Sequence, residues 1–151
     1  MLYSELQCSE AIHKAVERMG FAEMTEVQEK TIPVMLAGRD VIAKAPTGTG
    51  KTCAFGIPVA EHIDPEKKYP QAVIMAPTRE LAQQIAEELT ELTCFMPEVQ
   101  VLRVRRCQHG KAGQAFGRGL PDRGGHPGPP DGHYKHHSID LAHVTQVVLD
   151  E

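Results

Sequence analysis

The chain has no tryptophan, and aromatic residues make up only 5% of its 151 positions. No apolar run approaches the roughly 20 residues that a bilayer crossing needs, which excludes a transmembrane span. The start, Met1-Leu2-Tyr3-Ser4-Glu5, has neither a basic region nor an apolar signal core, so no export signal is expected. Cysteine is sparse. Cys8, Cys53, Cys94 and Cys107 lie far apart with no C-x-x-C pair. That argues against a disulfide scaffold or a zinc site and fits the reducing cytoplasm. No internal repeat is visible, and the length predicts one domain with a sizeable core.

The formal net charge of −4 hides a split. Residues 103–137 hold seven Lys and Arg against Asp122 and Asp131, together with five of the eight His. The remainder therefore carries a net −9. Residues 105–132 also hold eight of the 13 Gly and four of the 11 Pro. Their only apolar side chains are Cys107, Ala112, Ala115, Phe116 and Leu120. Such a stretch buries too little surface to offset its ordering entropy, and it reads as a disordered insert or a defect. Its basic charge can attract RNA, but without interleaved aromatics it cannot stack bases. His133, His136 and His137 are either solvated residues at a loop exit or metal ligands sharing one helix face.

Elsewhere helix and strand patterns alternate. Ile12, Ala15, Val16 and Met19 mark a helix ending at Gly20. Thr25 can cap a second helix running to Leu36. Val41-Ile42-Ala43 reads as a short buried strand, and Lys51 to His62 as a helix. The run 72–76 has strand length, and Glu80 to Cys94 places Leu81, Ile85, Leu89 and Leu92 inward on a helix. Val99 to Val104 and Val144 to Leu149 read as strands. Strands alternating with helices predict an α/β fold with a parallel sheet covered on both faces.

Ala45-Pro46-Thr47-Gly48-Thr49-Gly50-Lys51-Thr52 sits between a predicted strand and a predicted helix, the context a phosphate-binding P-loop requires. Gly48 and Gly50 let the backbone curl so that its N–H groups face phosphate oxygens. The helix N-terminus adds partial positive charge. Lys51 can reach the β- and γ-phosphates, and the Thr52 hydroxyl can reach Mg²⁺. Ala45 stands where the strict pattern has glycine. The alternative is a glycine-rich turn without a ligand.

With Pro77-Thr78-Arg79-Glu80-Leu81-Ala82-Gln83-Gln84 downstream, A-P-T-G-T-G-K-T resembles the first two motifs of the DEAD-box RNA helicases. Val147-Val148-Leu149-Asp150-Glu151 resembles the start of their V-L-D-E-A-D signature, cut before its last two residues. Gly20-Phe21 with Thr25 and Gln28 resembles the family's adenine-sensing Q motif, and Tyr3 sits where an upstream aromatic is usual. Gly38-Arg39-Asp40-Val41-Ile42 matches the family's approach to the P-loop. Met24 and Glu26 replace the prolines usual around Thr25. The resemblance covers 1–104 and 133–151. It implies an incomplete RecA-like P-loop NTPase domain, with a parallel sheet flanked by helices, as most of the first of two such domains.

The resemblance also implies roles. ATP and Mg²⁺ are the cofactors. Phe21 packs on the adenine and Gln28 bonds its edge; an amide with one donor and one acceptor face suits N6 and N7. Thr25-x-x-Gln28 is equally a capping-box pattern, and Phe21 could equally be a core aromatic. Pro77, Thr78, Arg79 and Glu80 hold single-stranded RNA or a short duplex through its backbone, without reading sequence; the alternative is a helix cap with a surface Arg. Lys51, Asp150 and Glu151 are the catalytic set. Asp150 joins Thr52 at the Mg²⁺, and Glu151 orients the attacking water as general base; the alternative is two acids at a strand end. The second domain would supply arginines and the other half of the RNA site.

Against the family pattern, a Gly-Gly element, a buried strand and a T-P-G-R motif are absent between Val104 and His133. One coding of residues 119–131, read one base later, gives Gly-Cys-Gln-Ile-Val-Val-Ala-Thr-Pro-Gly-Arg-Leu-Met. A frame-shifted segment is therefore the expectation, with a natural insert or a basic RNA-binding tail as rivals. The expected whole is a cytoplasmic ATP-dependent RNA helicase, of which this chain is a truncated, internally damaged fragment that does not turn over ATP unaided. The rivals are a nucleotide- or RNA-binding module without turnover, or a non-functional product.

Overall fold

The computed structural model describes residues 1–104, 112–117 and 141–150. After a 3-10 turn at Tyr3–Glu5, the helices are α1 (Glu10–Arg18), α2 (Glu26–Leu36), α3 (Lys51–Glu61) and α4 (Arg79–Leu92). The strands are β1 (Pro70–Ala76), β2 (Gln100–Val104), β3 (Ala112–Gly117) and β4 (Gln146–Leu149). The helices begin where capping chemistry allows. The Ser9 side chain accepts from the Ile12 N–H at the start of α1, and the Thr78 hydroxyl accepts from the Leu81 N–H at 3.2 Å at the start of α4.

The core is aliphatic. Ile57 and Val59 of α3, Ile74 of β1, and Ile85, Leu89 and Leu92 of α4 are fully buried together. Helix α3 lies between α2 and α4 and is buried continuously over residues 53–60. Gly56 makes its approach to α4 possible, since a Cβ there would sit 2.9 Å from both Leu89 Cδ2 and Leu92 Cδ1.

The sheet order is β2-β3-β1-β4. The predicted parallel pairing holds for β1 and β4, with Val73 opposite Val147 and Met75 opposite Leu149. The pairs β1–β3 and β2–β3 are antiparallel, so the sheet is mixed. Chain length explains this. Only residues 105–111 separate β2 from β3, whereas a parallel pair needs a crossover of a dozen or more residues. Of the segment 105–132, only Ala112–Gly117 lies within the described residues. The rest of it, with the frame-shift reading and the histidines at 133–137, lies outside them.

One expected strand is absent. Val41, Ile42 and Ala43 are extended chain without strand pairing, and Ile42 is fully exposed. A strand exists only where another satisfies its backbone groups. Among the described residues no strand flanks this segment. A cleft of about 810 Å³ is lined by Val41, Ile42 and Ala43 together with β4 residues Val147, Val148 and Leu149. No helix among the described residues is long and apolar enough to cross a membrane. None of the described cysteines is in a disulfide.

Candidate nucleotide-binding site

The turn at 45–52 is shaped by two glycines and held from behind by α2. Gly48 and Gly50 have φ of +78° and +75°, the left-handed region that side chains rarely adopt. Within the turn, Thr49 Oγ1 donates to the Pro46 carbonyl at 2.7 Å. From α2, Thr25 Oγ1 donates to the Thr49 carbonyl at 2.8 Å and Gln28 Nε2 to the Gly50 carbonyl at 3.0 Å. In a trans peptide the C=O and the next N–H point in opposite directions. Anchoring the carbonyls of Thr49 and Gly50 towards α2 therefore turns the N–H groups of Gly50 and Lys51 away from it. No side chain caps α3, whose N-cap is Gly50. Two N–H groups aimed from a left-handed turn at a helix N-terminus fit phosphate oxygens.

Gly50 is fixed by space as well as by φ. A Cβ there would lie 2.3 Å from Gln28 Nε2. Gln28 is 3% exposed, and its Oε1 accepts from the Thr25 N–H at 2.9 Å and from the Tyr3 hydroxyl at 2.6 Å. The capping box is thus formed, and the same amide also braces the P-loop. Phe21 is not a core residue. It is 44% exposed, and its ring stacks at 6.5 Å centroid distance on buried Tyr3.

Oxygen-bearing side chains also lie at the start of α3 and just after β4, at Thr52 and Asp150. The pKa of Glu88, half-buried on α4, is raised by burial above all and then by the charges of Glu91 and Asp150, while the neighbouring Thr52 side chain acts to lower it. Asp150 follows β4, and its N–H donates to the Met75 carbonyl at 2.9 Å. Thr52 and Asp150 thus share Glu88 as an electrostatic neighbour. A hydroxyl and a carboxylate suit Mg²⁺, which takes one or two protein oxygens beside phosphate and water. Among the described residues there is no cluster of three or more His, Cys, Asp or Glu to hold a metal. Glu151 lies outside the described residues.

Pro77, Thr78, Arg79 and Glu80 are all exposed at the start of α4. The Thr78 side chain caps the helix, so the cap reading is realised, and the exposed helix N-terminus remains compatible with a phosphate. Glu88 was not singled out in the sequence. A signal existed: Leu81, Ile85, Glu88 and Leu92 run at helical spacing, with a carboxylate in an otherwise apolar stripe. Cys53, one residue into α3 from Thr52, is chemically quiet, its thiol pushed up to about 12 by burial.

An α/β domain with this braced glycine turn at a helix N-terminus defines a P-loop nucleotide-binding domain. The family model for the DEAD/DEAH box helicase matches residues 25–151, and the chain belongs to that family. The ATP-dependent RNA helicase CshA of Limosilactobacillus reuteri is 41% identical over the whole of this chain and 30% of its own length. The CshA of Listeria monocytogenes is 43% identical over 99% of this chain and 29% of its own length. The chain thus spans about 30% of the length of the curated relatives it matches. Among solved structures, a DEAD box protein from the hyperthermophile Methanococcus jannaschii is 39% identical, with a TM-score of 0.57 over 61% of this chain and 25% of the other. S. cerevisiae Dbp5 bound to RNA and ADP BeF3 is 35% identical, with a TM-score of 0.60 over 62% of this chain and 25% of the other. The fold is accordingly RecA-like, represented in part.

Proposed function

We propose that this chain is the ATP-binding part of an ATP-dependent RNA helicase. The observation that carries the reading is the anchoring of the Thr49 and Gly50 carbonyls by Thr25 and Gln28, which aims the loop amides outward. In this reading residues 45–52 cradle the phosphates, and Phe21, Thr25 and Gln28 form the base side. Lys51 neutralises the developing phosphate charge, and Thr52 and Asp150 hold Mg²⁺. The metal, when bound, supplies Lewis-acid stabilisation of the phosphoryl oxygens. Glu151 acts as general base for water. Pro77, Thr78, Arg79 and Glu80 grip the backbone of single-stranded RNA or a short duplex without reading bases. A second RecA-like domain completes both sites in the whole protein, which works in the cytoplasm.

The 151 residues alone bind nucleotide without turning it over, because the charge-stabilising groups of a second domain are needed for hydrolysis. Labelled ATP binding tests this. Lys51→Ala should lower affinity at least tenfold. Equal binding by the variant would sink the reading, and RNA-stimulated hydrolysis by the 151 residues would refute the division of labour.

A further inference from the structure

Glu88 is a carboxylate that the roles above do not absorb. It stands half-buried on α4, in a stripe otherwise made of Leu81, Ile85 and Leu92, where an apolar side chain would pack at lower cost. Its surroundings are set by the contact between α3 and α4. Gly56 lets α3 close on α4, since a Cβ there would sit 2.9 Å from Leu92 Cδ1. One helical turn back on each helix, Gly56 is replaced by Thr52 and Leu92 by Glu88. The register that joins 56 to 92 therefore sets 52 beside 88. The groups that act on the Glu88 carboxylate agree with this register: Thr52 from α3, Asp150 from just after β4, and Glu91 from its own helix.

A threonine hydroxyl has one hydrogen to give and two lone pairs. Other threonines on the helices give that hydrogen to the carbonyl a turn back. Thr31 Oγ1 donates to the Val27 carbonyl at 2.7 Å, Thr90 Oγ1 to that of Ala86 at 2.7 Å, and Thr93 Oγ1 to that of Leu89 at 2.8 Å. Thr52 is the second residue of α3, so a turn back lies Gly48, a left-handed loop residue rather than a helical one. Where the hydrogen goes decides where the lone pairs face. A hydroxyl ligates a cation through a lone pair, with its hydrogen turned aside to another acceptor. We propose that Glu88 is a positioning residue of the nucleotide site: it takes the Thr52 hydrogen and so keeps the Thr52 oxygen open to a divalent cation that enters with the nucleotide. Glu88 acts through Thr52 and does not itself touch the cation. This rests on the nucleotide-binding reading above.

ADP binding to the 151-residue chain, measured by calorimetry in Mg²⁺ and again in EDTA, tests the proposal. The readout is the ratio of the two affinities. The wild type should bind at least about tenfold more tightly with Mg²⁺. Glu88→Leu removes the acceptor and fills the apolar stripe. It should lower the ratio about tenfold while leaving the affinity in EDTA within about twofold of the wild type. Glu88→Gln keeps an acceptor oxygen and should hold the ratio within about threefold. In a Thr52→Ala background Glu88→Leu should change the ratio no further, because the group it acts through is gone. A merely structural role would weaken binding in both solutions alike and leave the ratio where it was. An unchanged ratio in Glu88→Leu overturns the proposal. So does a loss of equal size in the Thr52→Ala background, or in Glu88→Gln. Failure of the nucleotide-binding reading looks different: ADP binds in neither solution, or Lys51→Ala binds it as tightly as the wild type does, and the proposal falls with it. Should Glu88→Leu fail to fold, a crystal structure of the wild type with Mg²⁺ and ADP decides. Thr52 Oγ1 within hydrogen-bond distance of the Glu88 carboxylate supports the proposal, and a Thr52 hydroxyl turned to any other acceptor overturns it.

Discussion

Downstream of the phosphate loop, α3 is buried without a break over residues 53–60 and its first carbonyl is bonded to α2. Upstream, Val41-Ile42-Ala43 is extended chain beside a cleft, with Ile42 fully exposed. The loop between them nevertheless holds its two left-handed glycines. Its shape is therefore set by what braces it from behind, Thr25 and Gln28, rather than by a strand leading into it. Apolar sequence makes a strand only when a neighbour takes its backbone bonds. Turn chemistry needs less, since glycine at positive φ and two side-chain bonds suffice.

Substitution on the braced flank should have the largest effect. Gly50→Ala forces a side chain into the left-handed region and onto Gln28, and should cost about 2–3 kcal/mol of stability. It should also reduce nucleotide affinity by more than tenfold. Urea unfolding and ADP titration measure the two. A variant that keeps both would show that the brace does not set the loop.

Glu88→Gln, on α4 behind the same flank, is expected to have a smaller effect of opposite sign. The Glu88 pKa is raised in the folded state, chiefly by burial. A raised folded-state pKa means a contribution that is complete below the unfolded value and is lost as pH rises through the folded one. At pH 7 the ionised carboxylate is thus disfavoured in the fold. The glutamine variant should be the more stable there, and its advantage should shrink as pH falls towards the ordinary glutamate value of 4.5. Melting temperatures of both proteins across pH 4–8 would reveal a constant difference if burial of Glu88 has no such consequence.

Ile42→Ser on the open flank should change stability least, by no more than about 0.5 kcal/mol. An isoleucine buried in a strand would cost about 2–5 kcal/mol on truncation to alanine. A loss of that size at Ile42 in chemical denaturation would mean that the upstream segment is packed as a strand and that the two flanks are alike.

Much of this architecture was legible. The four helices follow from apolar spacing and from Ser9, Thr25 and Thr78 as caps, which are local signals. The run 72–76 became β1 because strands lie on both sides of it. The run 41–43 has the same apolar character, yet it has no partner among the described residues, and partnership is not encoded in three residues. The antiparallel pairing of β3 was likewise invisible, because its glycine-rich sequence carries no alternation. At the site, the residue types and spacing pointed to Thr25, Gln28 and the P-loop. They could not say that capping and bracing would be performed by one amide, because that depends on where α2 comes to rest against α3.

The Gly50 carbonyl carries a further consequence. It accepts both from Gln28 Nε2 at 3.0 Å and, as the first bond of α3, from the Ala54 N–H at 3.1 Å. One oxygen thus belongs to two helices. Release of α2 weakens the first turn of α3, and fraying of that turn removes the anchor of α2. Amide hydrogen exchange at Ala54 and across the first turn of α2 should accordingly report one shared opening event, a single cooperative unit that spans the loop.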